Sequence, residues 1–182
     1  MGRDPVSRDF YLDSPDLVSQ KLLGKLLVRP GMAGRIVEVE AYFGEADPAA
    51  HSFAGKTARN AVIFGPPGHA YVYFIYGMYF CLNVSCEPEG RAGCVLIRAL
   101  EPVCGMKGSA SGPGRLCRAF GITRERDNGV DFTSPASELQ IQDDGFVAKE
   151  ILITPRIGIT KDASRLGRYL LADNPFVSKS RG

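Results

Sequence analysis

The residues from Ala70 to Val84 read AYVYFIYGMYFCLNV, the most apolar run in this chain of 182 residues. β-branched and aromatic side chains dominate the run, which favours strands over a helix. It is also shorter than the roughly 20 apolar residues that a membrane-spanning helix needs. Gly77 interrupts it. We therefore predict a β-hairpin with strands Tyr71–Ile75 and Met78–Ser85, joined by a tight turn at Tyr76-Gly77.

Two interpretations of this hairpin are open. Aromatic strands are typical of a buried β-core. Turn positions are usually polar, however, and here Tyr76 and Met78 flank the turn glycine. The second interpretation is therefore an apolar wedge that the hairpin presents to a partner.

Composition is that of a soluble globular protein, with 45% hydrophobic and 23% charged residues, and the length suits one domain. The net charge is only +2, but residues 91–126 contain seven Lys or Arg against two acidic residues. Such a run fits either a footprint for a polyanion or a solvated surface.

Five cysteines occur without any C-x-x-C pair, and the N-terminus MGRDPVSRDF has no apolar segment. The odd count without close pairing predicts reduced, mostly buried thiols in a cytosolic protein with no signal peptide. Only two histidines are present, which argues against a Cys/His zinc cluster.

The remaining segments predict short helices and several strands. A helix begins at Ser14-Pro15 and ends before Gly24, and a second one ends at Gly121. The predicted elements besides the hairpin are strands Lys25–Arg29, Arg35–Tyr42, Cys94–Leu100, Leu139–Gln142, Ile151–Ile159 with a break at Pro155 and Arg168–Leu171, helix Arg115–Phe120, and a final extended piece Phe176–Ser178.

Charged residues on two of these strands stand out. Period-two alternation places Glu38, Glu40 and Tyr42 on one face of their strand. This face is either solvated or part of a pocket, since catalytic groups often lie at strand ends. Arg98 lies inside the apolar strand CVLIRALEP and needs an anionic or polar partner there. Glu40 would satisfy it.

Two further classes of function remain open on the residues alone. One is a metal-dependent hydrolase with an oxygen-rich site, although nothing forces its candidate ligands to converge. Those ligands are Glu38, Glu40, Asp47 and His51. The other class is a non-catalytic nucleic-acid-binding module, against which the carboxylate and arginine of the two strands argue.

As a set, four segments resemble the alkyladenine (3-methyladenine) DNA glycosylase family: VEVEAYFGEADPAAHS, RNAVIFGPPGHAYVYFIYGMYFCLNVS, CVLIRALEP and SGPGRLCRAFGI. The ending RIGI…YLLADNPFVS fits as well, so the resemblance covers about Phe10 to Ser178 within one domain, 1–182. Together with the predicted elements, it implies an α+β (mixed) fold. We expect a single compact domain with a curved, mostly antiparallel β-sheet, flanking short helices and a protruding aromatic β-hairpin.

The resemblance also implies an activity. It predicts a monofunctional base-excision enzyme that binds double-stranded DNA containing damaged purines, flips the damaged nucleotide out and hydrolyses its N-glycosidic bond. It implies no cofactor, no metal, no membrane partner and a monomer. We expect it in the cytoplasm of a prokaryote or in the nucleus of a eukaryote.

Roles follow from the matched motif positions. By resemblance, Glu40 is the general base that activates water and Arg98 helps to hold that water. The base pocket is formed by Tyr42, His51, Tyr73 and Asn83, with Asn83 at the floor to exclude normal guanine. Tyr76, with Met78 beside it, is the wedge that fills the gap left by the flipped nucleotide. No lysine lies in the matched motifs, so no lyase activity is expected, because a lyase needs an amine nucleophile.

The sequence departs from the family pattern after Glu101-Pro102, where relatives have a basic helical segment and this chain has only CGMKGSASGPG. DNA affinity is therefore expected to be weaker or redistributed. The candidates for phosphate contact are Lys56, Arg59, Lys107 and Arg115, each of which also fits an ordinary surface charge.

Overall fold

One curled, antiparallel sheet of eight strands organises residues 4–179, the part of the chain that this computed structural model describes. The strands are β1 (Leu26–Arg29), β2 (Met32–Tyr42), β3 (Ala70–Ile75), β4 (Tyr79–Cys86), β5 (Gly93–Cys104), β6 (Gln140–Gln142), β7 (Ile151–Pro155) and β8 (Leu166–Leu171). The helices are α1 (Pro15–Leu22), α2 (Pro113–Phe120) and α3 (Arg124–Asp127), with 3-10 turns at Arg8–Tyr11, Gly44–Ala46 and Ala61–Phe64. These elements form a single compact α+β domain, as predicted.

The central strand is β2, which is paired along both edges. The sheet order is β3-β4-β5-β2-β1-β6, and β8 pairs with both β2 and β7. Beyond β1, the second half of β2 lies between β5 and β8, where Glu40 is level with Leu96 on one side and Arg168 on the other. A solvated carboxylate face was one interpretation of this strand, and it is wrong, because Glu38 and Glu40 are both completely buried.

Helices α1 and α2 close the core. Pro15 starts α1 at its first position, where its missing N–H costs no hydrogen bond, and the helix buries Val18 and Leu22. Helix α2 starts two residues before the predicted Arg115 and ends at Gly121, whose φ of 62° is left-handed. No helix within residues 4–179 is long and apolar enough to cross a bilayer.

The predicted extended segments differ from the structure in several places. Strand β2 begins at Met32 rather than Arg35, and β5 continues to Cys104 beyond the predicted Leu100. Met78 was predicted to begin a strand but lies in the turn before β4. Strand β7 ends at Pro155 instead of continuing to Ile159, because proline removes a ladder donor. The segment Phe176–Ser178, predicted to be extended, belongs to a turn and irregular structure instead of a strand. All five cysteines are free thiols, four of them buried and Cys104 exposed.

Strands β3 and β4 pair in register from Ala70 opposite Val84 to Ile75 opposite Tyr79. The connecting turn is closed by a hydrogen bond from Met78 N to Ile75 O at 3.2 Å. Its two central residues have positive φ, 54° at Tyr76 and 66° at Gly77, as type I′ turns require. Glycine adopts this conformation without strain whereas tyrosine does so rarely. The turn leaves the Tyr76 side chain in solvent, with 82% of the residue exposed.

Candidate active site

Glu40 of β2 lies at the centre of a buried polar cluster. Its Oε2 accepts a hydrogen bond from Tyr42 Oη at 2.9 Å, and its Oε1 accepts one from Ile157 N at 2.7 Å. Arg98 Nη1 of β5 lies 3.3 Å from the same Oε1. The pairing of Arg98 with Glu40 that the sequence suggested is therefore present. Burial and the Glu40 charge raise the pKa of Tyr42 well above its ordinary value, so its hydroxyl stays protonated and donates to the carboxylate.

Glu38 lies two residues earlier and is the second buried carboxylate of the cluster. Arg98 Nε donates to its Oε1 at 2.9 Å and Arg168 Nε at 2.8 Å. Ser178 adds its backbone N–H to Oε2 at 2.6 Å and its hydroxyl to Oε1 at 2.8 Å. Burial raises the pKa of Glu38, but the donors and charges of Arg168, Arg98 and Ser178 outweigh it and lower the pKa below its ordinary value. Glu38 is thus a fully satisfied anion that holds Arg98 in place.

Aromatic rings gather beside this cluster. The rings of His51 and Tyr73 meet edge to face at a centroid distance of 4.4 Å, and Tyr71 lies 5.6 Å from Tyr73. His51 Nδ1 is hydrogen-bonded to Tyr71 Oη at 3.0 Å. Partial desolvation and the charge of Arg59 lower the pKa of His51, which favours the neutral imidazole at pH 7. Burial raises the pKa of Tyr71 to about 12, so its hydroxyl is also uncharged.

A buried asparagine fixes the loop that carries His51. Asn60 is 2% exposed, and its Nδ2 donates to the carbonyl oxygens of His51 and Gly55, each at 3.0 Å. Its Oδ1 accepts from Thr57 N at 2.6 Å. The loop between β2 and β3 is therefore held by hydrogen bonds although it has no strand or long helix.

Asn83 lies on β4, between β3 and β5, beside Tyr71 of the aromatic group. It is level with Tyr71 on one side and Leu96 on the other, and it is 2% exposed. Its Nδ2 donates to Tyr71 O at 3.2 Å. The side chain is thus oriented by the backbone of the neighbouring strand.

The other predicted site residues lie on the surface. Tyr76 and Met78 are 82% and 63% exposed at the β3–β4 turn. The four candidates for phosphate contact, Lys56, Arg59, Lys107 and Arg115, are all exposed. Of these, Arg59 lies near His51 and Tyr71: its charge helps to lower the pKa of His51 and offsets part of the burial-driven rise in the pKa of Tyr71.

Comparisons with known proteins identify the family of the chain. The sequence model described as Methylpurine-DNA glycosylase (MPG) matches residues 9–175. A protein of Koribacter versatilis (strain Ellin345) named "Putative 3-methyladenine DNA glycosylase" is 56% identical, with 97% of this chain and 94% of that protein covered. A protein of the same name from Methanocella arvoryzae is 49% identical, with 96% of each chain covered. The chain belongs to the methylpurine-DNA glycosylase family. It is a DNA glycosylase, a class of enzyme that hydrolyses N-glycosidic bonds.

In this glycosylase the oxygen-rich metal site considered above does not form. Asp47 is bound by Arg156 Nη1 at 2.5 Å and Nη2 at 3.1 Å, and Glu38 is bound by two arginines. Within residues 4–179, no three His, Cys, Asp or Glu side chains are grouped to hold a metal ion. The carboxylates of the cluster are engaged by cations and amides of the protein itself.

Sequence reasoning missed several residues of the glycosylase site. Ile157 contributes only a backbone N–H, which leaves no signal in a side-chain pattern. Arg156, Arg168 and Ser178 lie more than 100 residues after β2 in the chain. They come close to it because β8 pairs with β2 and β7 pairs with β8. The first of these was visible in the segment RIGI, which was assigned no role.

Proposed function

We propose that this glycosylase removes alkylated or deaminated purines from duplex DNA, using a water molecule that Glu40 activates. The observation that carries the proposal is the environment of Glu40. This carboxylate has no solvent exposure, and Tyr42, Ile157 and Arg98 hold it from three directions. A fixed carboxylate suits proton abstraction from water, and its negative charge stabilises oxocarbenium character at the sugar.

The aromatic group suits the substrate. Tyr42 and His51 are proposed as one wall of the base pocket and Tyr73 as the other. The rings of His51 and Tyr73 are in contact, at a centroid distance of 4.4 Å, so a flipped purine would enter only after these two rings separate. Aromatic rings attract a cationic alkylpurine more strongly than a neutral base. Because such a base is also electron-poor and leaves easily, the attacking water needs only modest activation. The neutral His51 favoured at pH 7 adds no repulsion to a cationic base.

Asn83 is proposed to reject guanine. In this proposal it forms the floor of the base pocket, and its amide is oriented by a hydrogen bond to Tyr71 O. A buried amide held in one orientation cannot move aside for the exocyclic amino group of guanine, so a normal guanine would meet a steric and hydrogen-bonding conflict.

The β3–β4 turn is proposed to be the wedge. An enzyme that acts on a base must take that base out of the stack, at a cost of a few kcal/mol. Apolar side chains inserted between base steps offset part of this cost. Tyr76 and Met78 are the exposed apolar residues of the turn, and Gly77 permits its tight geometry. The exposed cations Lys56, Arg59, Lys107 and Arg115 would contact phosphates around it. We propose that the protein acts as a monomer.

The test is release of free base from duplexes that each carry one lesion: 3-methyladenine, 7-methylguanine, hypoxanthine or ethenoadenine. Free base and an intact strand with an abasic site are expected, because no lysine lies in the segments that resemble the glycosylase family. Strand cleavage without added base would contradict monofunctional hydrolysis. A parallel reaction with EDTA is expected to release base at the same rate. Complete loss of base release with EDTA would favour the metal-dependent alternative.

A further inference from the structure

A buried ion pair lies directly behind the proposed base pocket. Arg156 follows β7, and Asp47 lies in the loop after β2. Both side chains are completely buried, and they meet through two hydrogen bonds of 2.5 and 3.1 Å. This bidentate geometry fixes the plane of the guanidinium as well as its position. In β8, Gly167 leaves room for the Arg156 stem, since a Cβ there would lie 3.1 Å from Arg156 Cδ.

The other described hydrogen bonds and ring contacts of the Arg156 and Ile157 segment go to Glu40, Ala41 and Tyr42. The Arg156 guanidinium lies 4.9 Å from the centroid of the Tyr42 ring. Its Nη1 also donates to Ala41 O at 3.2 Å. The next residue, Ile157, donates its backbone N–H to Glu40 Oε1 at 2.7 Å. Because the guanidinium lies over the Tyr42 ring and is itself buried, it leaves only the opposite ring face for a purine.

The other half of the pair fixes the start of the His51 loop. Asp47 accepts hydrogen bonds from the backbone N–H groups of Phe43 at 3.1 Å and Ala49 at 3.0 Å. Its own carbonyl oxygen accepts one from Ala50 N at 2.9 Å, immediately before His51. The ion pair thus links the segment after β7 both to Tyr42 and to the start of the loop that carries His51.

We propose that Arg156 is a positioning residue, held by Asp47, that sets the relative placement of Tyr42, Glu40 and the His51 loop. The inference rests on the proposed function. Stability alone is a weak reason for such a pair, since buried ion pairs often contribute little net stability compared with apolar residues of similar volume. Geometry is the stronger reason, because a planar guanidinium can bind a carboxylate at two points and stack on a ring simultaneously, whereas an ammonium cannot.

The variant Arg156→Lys tests this by keeping the charge and removing the planar group. Misplacement of catalytic groups by about 1 Å costs on the order of 100-fold, so we expect single-turnover base release from a hypoxanthine duplex to fall by about 100-fold. Binding to a duplex with a stable abasic-site analogue, which has no base to fill the pocket, should stay within about twofold because it depends on the wedge and phosphate contacts instead.

Arg165→Lys is the matched control. Arg165 also lies over an aromatic ring, 4.2 Å from the Phe43 centroid, and also pairs with an aspartate, Asp162 at 3.4 Å. It is partly exposed and has no contact with Glu40 or Tyr42 among those described. Base release by Arg165→Lys is expected to equal that of the wild type. Equal rates for Arg156→Lys and Arg165→Lys would overturn the proposal.

A double variant, Asp47→Asn with Arg156→Gln, covers the case in which Arg156→Lys does not fold. It removes both charges, so no unpaired charge is left buried. We expect it to fold, to bind the abasic duplex and to release base about 100-fold more slowly, by the same loss of placement. Normal base release, or failure of both variants to fold, would show that the pair serves folding and would overturn the positioning role. A wild-type protein that releases no lesion base would instead contradict the proposed function, and this inference with it.

Discussion

Glu38 and Glu40 share one arginine. Arg98 donates Nε to Glu38 at 2.9 Å and holds Nη1 3.3 Å from Glu40. Arg168 supplies a second positive charge, 2.8 Å from Glu38. The two buried carboxylates are therefore matched by two arginines, and Glu38 determines where the guanidinium beside Glu40 can lie.

Replacing Glu38 should destabilise the protein strongly. Glu38→Gln leaves two buried arginines facing a neutral amide, and breaking a buried pair in this way costs about 3–5 kcal/mol. Urea unfolding at pH 7 measures the change in free energy. Glu138→Gln is the control, since its pair with Arg126 is largely exposed to solvent and contributes little to stability. Equal stability of the two variants would contradict the role assigned to Glu38.

Acid should remove part of the folding free energy through the same groups. Burial raises the pKa of Glu38, but Arg168, Arg98 and Ser178 outweigh it and lower that pKa. Burial likewise raises the pKa of Asp47, and Arg156 and two backbone amides outweigh it. A carboxyl with a lowered folded-state pKa stabilises the fold fully above its unfolded pKa of about 4, and this contribution is lost as the pH falls through the folded-state pKa. The loss is measured as the fall in the midpoint of urea unfolding when the pH is lowered from 7 into the acid range. In Glu38→Gln the dependence on pH should be weaker, and an identical dependence would rule out Glu38 as a source.

Tyr76→Ser should weaken binding to lesion duplexes and slow base release, because serine cannot fill the gap left in the stack. A side chain of nearly equal exposure gives the control: Val147 is 81% exposed and Tyr76 is 82% exposed. Equilibrium binding and single-turnover rates of Tyr76→Ser and Val147→Ser are compared on one duplex. Unchanged affinity and rate in Tyr76→Ser would remove the wedge role.

Asn83→Ser should relax the rejection of guanine. The shorter side chain vacates the space into which the guanine amino group would project, while serine retains a polar group beside Tyr71 O. The measurement is release of undamaged guanine from a duplex, with the wild-type protein as control and hypoxanthine release as the check on activity. If hypoxanthine is released and guanine release stays undetectable, Asn83 serves only to brace β3 and β4.

Local patterns predicted most of the elements. Pro15 and Leu22 bound α1 as the helix-start signal and apolar spacing indicate, and Gly121 ends α2 as expected. The β3–β4 pairing follows from an aromatic run divided by one glycine. The pairing of Arg98 with Glu40 was also predictable, since a buried arginine needs an anion.

Long-range contacts were not predictable in this way. Alternation along β2 could not show that the face with Glu38 and Glu40 is buried, because Ile157, Arg168 and Ser178, which contact these carboxylates, lie more than 100 residues later in the chain. The amide of Ile157 that reaches Glu40 is 117 positions away in sequence and has no side-chain signature. Asp47 was considered as a metal ligand because its chemistry permits it, and only the fold shows that Arg156 occupies its oxygens.

The most direct test is single-turnover release of hypoxanthine and 3-methyladenine by Glu40→Gln, measured together with binding to the same duplexes. Glutamine keeps the shape of the side chain but cannot accept the proton of water. We predict loss of base release with affinity largely retained, while the exposed control Glu89→Gln behaves as the wild type. Base release by Glu40→Gln at the wild-type rate would contradict the proposal that Glu40 activates the water.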